Sequence, residues 1–300
     1  MAVEQLNQKF EVPNQVKVIE GKGGFPVVEV TNEKATAKIS VYSGHVMSFK
    51  PVGEPEDLLF LSDKAYYEVG KAMKGGIPIC WPWFGPDPEG KGRASHGFVR
   101  NRMWTLLSAD AIAPGETKVR LGMSPSKETL EIWPYQFELV IEIIIGAQLS
   151  ITLTTQNTGD TPFSITQALH TYFATGDISQ VSVQGFENAR FVDKADGGAE
   201  KTQTGDITIT EETDRIYTDV KPEIVIDDGA MGRRIRITST GSSTAIVWNP
   251  WKEISVKMAD LGDQDYQRFI CVETANAEDE VIEVAPGTDY KIQAVYAIER

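Results

Sequence analysis

The 300-residue chain is short of the side chains that do most covalent and metal chemistry, with two cysteines and three histidines. Two cysteines, Cys80 and Cys271, are too few for a disulfide framework. Each lies in an apolar run, so buried free thiols are expected, and neither has the spacing of a metal ligand. Basic residues are also scarce: 29 Lys and Arg against 43 Asp and Glu give a formal charge of -14. Such a surface repels nucleic acid and anionic membranes, so neither is expected as a partner. It repels a phosphorylated metabolite over distance as well, and a ligand of that kind would need a local cationic pocket. Residues 1–10 lack the basic and apolar regions of a leader peptide. The most apolar stretch, 137–153, is interrupted by Glu138, Glu142, Gln148 and Ser150, which argues against a membrane span. A soluble cytoplasmic protein is the expectation. No GxSxG, P-loop, HExxH or dinucleotide GxGxxG pattern occurs, and no metal cluster is apparent.

What the chain does have is strand patterning. Residues 37–49, 150–154, 181–183 and 234–237 alternate apolar with polar side chains, the period that turns one sheet face to a core. Turn chemistry separates such runs at Asn157–Thr158–Gly159–Asp160, Asp227–Asp228–Gly229 and Pro286–Gly287–Thr288. Helical periodicity is weak, and short helices are expected only over 62–71 and 259–268. Repeated strand–helix units are missing, which excludes a parallel α/β sheet. The expectation is one all-β domain over residues 1–300, an antiparallel sandwich or barrel. The polar, Gly-rich stretch 193–206 reads as an exposed loop.

The histidines are the natural proton-transfer candidates, since imidazole titrates near neutrality. His96 follows the Gly/Pro/aromatic segment 75–85, where Pro78 and Pro82 lack amide donors and preclude a helix or central strand. That segment fits either a binding cleft or a packed loop over the sandwich end. His170 ends the alternating run 163–170, in which Thr166, Ala168 and His170 share a face opposite Ile165 and Leu169. Locally this suits a histidine on a solvent face. His45, beside Gly44, reads as structural. Glu273 closes the apolar run Phe269–Ile270–Cys271–Val272, where a carboxylate is costly to bury unless paired or functional. Burial would raise its pKa toward the range of a general base, whereas reaching solvent would make it ordinary.

Several motifs occur in a fixed order. They are Lys74–Gly75–Gly76–Ile77–Pro78 with Phe84–Gly85–Pro86, His96–Gly97–Phe98–Val99–Arg100–Asn101, and Ala168–Leu169–His170–Thr171–Tyr172–Phe173. Then come Thr213–Asp214–Arg215–Ile216–Tyr217, Val247–Trp248–Asn249–Pro250–Trp251 and Ile270–Cys271–Val272–Glu273. In this order they resemble the aldose 1-epimerase superfamily, and within it the glucose-6-phosphate 1-epimerase (hexose-6-phosphate mutarotase) branch. The resemblance implies a large antiparallel β-sandwich of the galactose mutarotase type. It implies an isomerase that interconverts the anomers of a hexose 6-phosphate without metal or redox cofactor, and that acts as a monomer. It assigns Glu273 as the base at the C1 hydroxyl, His170 as the acid at the ring oxygen, and His96 as a second histidine near the reacting oxygens. Asp214 would hold sugar hydroxyls, while Lys74 and Arg100 would bind the phosphate. Many relatives have arginine where this chain has Lys74, which can serve only as a point charge. Arg93 and Arg102 are nearby alternatives. A mutarotase for free hexoses and a carbohydrate-binding sandwich without turnover are the competing expectations.

Overall fold

The computed structural model describes residues 2–300. Two large sheets dominate it. One has nine strands in the order 207–208, 181–184, 223–228, 233–240, 289–299, 149–157, 137–145, 116–123 and 105–113. The other runs 199–202, 190–193, 213–218, 244–249, 269–276, 167–169 and 79–80, with 172–174 also paired to 269–276. A four-stranded sheet formed by residues 16–51 and a two-stranded ribbon, 163–165 with 282–284, complete the strands. The ladders are antiparallel, joined by a tight hairpin between 137–145 and 149–157 and by longer connections elsewhere.

Alternation explains which faces pack. Along Phe137–Ile145 the odd positions are buried while Glu138 and Glu142 point outward. Val247, Ile270 and Val272 of the eight-stranded sheet join Ile141, Ile151, Leu153, Ile235 and Ile292 of the nine-stranded sheet in one apolar core. The neighbouring residues on the first of these sheets face the other way. There Cys80, Ala168, Ile216, Ile246, Ala275 and Ala277 form a separate, smaller cluster. These small and branched side chains leave a concave floor on which a site can stand.

Two buried hydrogen bonds cross the core and pin that floor. The Thr171 and Tyr296 hydroxyls lie 2.6 Å apart, and Trp81 Nε1 donates to Thr155 Oγ1 at 3.0 Å. Close backbone approach adds to this where Gly97 bridges Trp81. A Cβ at Gly97, whose φ is +74°, would lie 1.8 Å from the Trp81 carbonyl oxygen.

The strand expectations hold at 150–154, 181–183 and 234–237, each inside a strand. Four readings need correction. Residues 37–49 are two strands, Ala35–Ser40 and His45–Pro51, reversed at Ser43 and Gly44, both with positive φ. Residues 62–71 form no helix, because the Leu61–Gly75 bridge and the Ser62 amide on the Lys74 carbonyl hold the segment's start extended. Of 259–268 only Asp265–Arg268 winds, as a 3-10 turn, after the Asp265 carboxylate accepts from the Gly262 amide. Residues 193–206 include a real hairpin arm, with Ala199–Thr202 paired to Arg190–Asp193 at the sheet edge. Both cysteines are buried and free, as expected. Among the described residues no helix is long and apolar enough to cross a membrane.

The Thr171–Tyr296 pair yields a stability prediction. Thr171→Val leaves a buried phenol without its partner and should cost about 1–3 kcal/mol in denaturant unfolding. Thr171→Val combined with Tyr296→Phe should cost less than the two single changes added together.

Candidate active site

The strand register brings the candidate residues together. Gln167–Leu169 pairs with Asn276–Thr274, and Tyr172–Ala174 pairs with Cys271–Phe269. Between them the chain makes a three-residue turn, with the Thr171 amide on the Leu169 carbonyl and the His170 amide on the Pro78 carbonyl. His170 therefore leaves the ladder opposite Glu273, and its Nδ1 lies 3.4 Å from Glu273 Oε1. His170 is 9% exposed and Glu273 2%. The face assigned to His170 from the alternation is right, since it points away from the main core. It meets a pocket rather than open solvent.

That pocket has a volume of about 660 Å³ and is lined by Lys74, His96, Arg100, His170, Asp214 and Glu273 among others. The residues singled out in the sequence thus converge on one cavity from five separate segments. Phe84, Tyr172 and Trp248 supply apolar walls. Tyr172 stacks on the His170 ring at 4.9 Å, with 9° between planes, and Trp248 meets that ring edge-on at 6.0 Å.

His96 is held in one tautomer. The Gly85 amide donates to His96 Nδ1 at 3.2 Å, and the His96 amide donates to the Gly85 carbonyl at 2.7 Å. With Nδ1 accepting, the neutral ring carries its hydrogen on Nε2. Burial, then the positive charges of Arg100 and Lys74, lower its pKa to about 3. His96 is accordingly a fixed neutral hydrogen-bond donor, held in place by a backbone with φ +63°.

Burial also dominates the other titratable groups. It pushes Glu273 well above the usual carboxylate range; the Asp214 charge adds to this and Arg100 opposes it. His170 is pushed well below 6.5, by burial first and then by His96, Arg100 and Lys74. Both shifts favour the uncharged pair. That pair holds one proton, and its transfer across the 3.4 Å gap gives a carboxylate beside an imidazolium. Such an arrangement can take a proton at one atom of a ligand while giving one at another. His170 Nδ1 and Glu273 Oε2 have no hydrogen-bond partner among the described residues, an unusual condition for buried polar atoms outside a ligand site.

The cations singled out in the sequence take different positions. Arg100 lines the pocket, with Nη2 on the Ser95 carbonyl at 3.1 Å. Lys74 lines it too, 3.7 Å from Asp260, and burial lowers its pKa. Arg93 is committed elsewhere, to Asp87 and the face of Trp83, and Arg102 pairs with Glu128. His45 is buried outside the pocket, packed so closely that a Cβ at Gly76 would lie 2.4 Å from its Nε2. Lys194 and Glu278 also line the pocket, and local pattern missed them. Lys194 belongs to the stretch that reads as an exposed loop, and only pairing of strands far apart in sequence brings it there. Among the described residues no group of three or more His, Cys, Asp and Glu side chains is placed to hold a metal ion.

Asp214 gives a pH prediction. Burial raises its pKa to about 6, against the opposing charge of Lys194. The native state therefore holds this proton more tightly than the unfolded chain. Its contribution to stability is complete below about pH 4 and is lost as pH rises through about 6. Asp214→Asn should remove that loss, so the variant should gain stability relative to wild type between pH 4 and 7 in parallel unfolding titrations.

Comparison with known proteins agrees with this geometry. Residues 26–297 match the Aldose 1-epimerase family. A protein of Escherichia coli (strain K12) is 37% identical over 254 residues, covering 84% of each chain, and one of Cenchrus ciliaris is 36% identical over 85% of this chain and 79% of its own. Both are named "Putative glucose-6-phosphate 1-epimerase". The crystal structure of a "putative mutarotase" from Salmonella typhimurium superposes with a TM-score of 0.91 at 29% identity, covering 100% of both chains. A galactose mutarotase-like protein of Clostridium acetobutylicum shares the fold, with a TM-score of 0.75 at 13% identity. The chain is an all-β sandwich of the galactose mutarotase type, and it belongs to the aldose 1-epimerase family of isomerases.

Proposed function

We propose that this protein interconverts the α and β anomers of a hexose 6-phosphate, glucose 6-phosphate foremost, with Glu273, His170 and His96 as its catalytic residues. The observation that carries the reading is an order of groups across the sheet. From edge to edge the pocket presents Asp214 on strand 213–218, Trp248 on 244–249, Glu273 on 269–276 and His170 after 167–169. Beyond His170 come Lys74, tied through the Gly76 carbonyl to Tyr172, and the segment bearing His96 and Arg100, tied through Gly97 to Trp81. A pyranose has a matching order: C2, C1, the ring oxygen, then C5 with its phosphorylated C6. With C1 at Glu273 and the ring oxygen at His170, C2 falls toward Asp214 and the phosphate toward Lys74 and Arg100. Strand spacing of about 4.8 Å puts Asp214's strand about 10 Å from that of Glu273, the scale of one sugar ring and its hydroxyls.

The chemistry follows from this placement. The Glu273 carboxylate takes the proton of the C1 hydroxyl, and the freed electron pair forms the C1–O1 double bond. The bond from C1 to the ring oxygen breaks, and that oxygen receives the proton of the His170 imidazolium. Rotation about C1–C2 presents the other face of the aldehyde. Reversal of the two transfers then closes the ring as the other anomer, with the proton back on His170 and the carboxylate free. His96 Nε2–H donates a hydrogen bond beside the reacting oxygens without competing for the proton.

The phosphate has a part in this beyond anchoring. Arg100 and Lys74 oppose protonation of His170. A bound phosphate dianion offsets those charges and makes the imidazolium easier to form. A free hexose brings no such compensation, which favours the phosphorylated substrate in turnover as well as in binding.

Coupled-assay anomerisation of purified α-glucose 6-phosphate tests the proposal, and a rate no faster than the buffer blank would sink it. Glu273→Gln should lower kcat by about 10²–10⁴ while ligand binding survives. Arg100→Ala should lower kcat/KM for glucose 6-phosphate by about tenfold or more and leave the value for glucose nearly unchanged. Equal losses on both sugars would assign Arg100 to structure.

A further inference from the structure

Lys194 is the pocket-lining cation that stands apart from Lys74 and Arg100. It begins the 3-10 turn that follows strand Arg190–Asp193, at the far side of the sheet from the proposed phosphate end. That strand pairs with Thr213–Thr218, with Asp193 opposite Arg215, so the chain delivers Lys194 beside Asp214. Its Nζ reaches 2.8 Å from Glu278 Oε1, and both side chains line the cavity. Glu278 is held with φ +53°, a conformation that non-glycine residues adopt only when surrounding contacts fix it. Lys194 also acts electrostatically on Asp214, opposing the effect of burial there.

We infer that Lys194 is a specificity-determining residue for the substituent at C2 of the sugar, accepting a neutral hydroxyl and rejecting a cationic amine. The inference rests on the hexose 6-phosphate reading, which puts C2 on this side of Glu273. A hydroxyl both donates and accepts, so it can give its hydrogen to the Asp214 carboxylate and take one from Lys194 Nζ. An ammonium group has donors only. It satisfies Asp214 but meets the Lys194 ammonium as a like charge with nothing to accept. Removing Lys194 does more than relieve this repulsion. It strips Glu278 of its partner and leaves two carboxylates, Asp214 and Glu278, facing the amine.

The test is the ratio of kcat/KM for glucose 6-phosphate to that for glucosamine 6-phosphate. It is run at about pH 6.5, below the range in which such amines lose their proton. Wild type should favour the hydroxyl sugar. Lys194→Ala should reduce that preference by about tenfold, Lys194→Glu should reduce it further, and Lys194→Arg should keep the wild-type ratio. Lys194 is 43% exposed on an edge turn, so these variants should fold, and their unfolding midpoints serve as the control. A ratio unchanged in both Lys194→Ala and Lys194→Glu, with glucose 6-phosphate still converted, overturns the inference and leaves the parent reading standing. Failure of the wild type to convert either sugar overturns both.

Discussion

The burial of one carboxylate organises this molecule. Glu273 sits in the middle of strand Phe269–Asn276, every residue of which is buried, and the four residues before it are apolar. An ionised carboxylate there lacks the solvation it would have in water, so the group is stable only protonated or beside a cation. The ladder supplies the partner, since the register that pairs Leu169 with Thr274 and Tyr172 with Cys271 leaves His170 opposite Glu273. Burial pushes both groups toward neutrality, so their shared proton rests on the carboxyl, and the proposed ring opening uses its transfer to the imidazole.

The surrounding structure serves to keep that pair in register. Thr171, next to His170, reaches through the core to Tyr296 on the opposite sheet, which fixes the turn that carries the imidazole. Trp81, directly after the adjacent edge strand 79–80, does the same through Thr155, and its carbonyl lies against Gly97 in the loop that delivers His96. The Gly85 amide then settles which nitrogen of His96 bears the hydrogen. The Thr171–Tyr296 and Trp81–Thr155 contacts join residues distant in sequence, so the sandwich as well as the local loop sets the precision of the site.

That division explains what the sequence could and could not reveal. Period-two alternation identified the strands and the all-β class, because burial of one face leaves a local trace in every strand. The same pattern assigned His170 its correct face but could not distinguish a pocket from open solvent. The difference lies in Trp248 and Asp214, which come from strands reached only through the sheet order. Glu273 looked costly from its apolar neighbours, yet its partner, 103 positions earlier by the numbering, left no mark nearby. The resemblance of ordered motifs supplied those pairings without deriving them. The missed residues, Lys194 and Glu278, lie where neither source helps: one in a polar Gly-rich stretch, the other in a turn whose positive φ is not encoded by glycine. The failed helices at 62–71 and 259–268 have the same origin, since local periodicity there is overruled by bridges to Gly75 and by the Asp265 carboxylate.

Charge poses the remaining physical problem, because a chain of net charge -14 is a poor long-range attractor for a phosphate dianion. At physiological salt, exposed charges are screened over about 8 Å, so the acidic surface governs approach and not the interior of a pocket. Inside, the balance is set by the few groups that remain poorly solvated. Lys74 is drawn back by Asp260 and its pKa is lowered by burial, while the Arg100 side chain lines the same pocket. A cation destabilised by burial gains more from an arriving anion than a fully hydrated one does, because its desolvation has already occurred on folding. An acidic exterior therefore does not by itself oppose a small anion at the end of the pocket lined by Lys74 and Arg100, where the proposed reading puts the phosphate. On the opposite side of the pocket Lys194 pairs with Glu278 and acts on Asp214. The pocket thus carries opposed charges at both ends, and on the proposed reading selectivity at each end comes from the partner that restrains the stronger attraction.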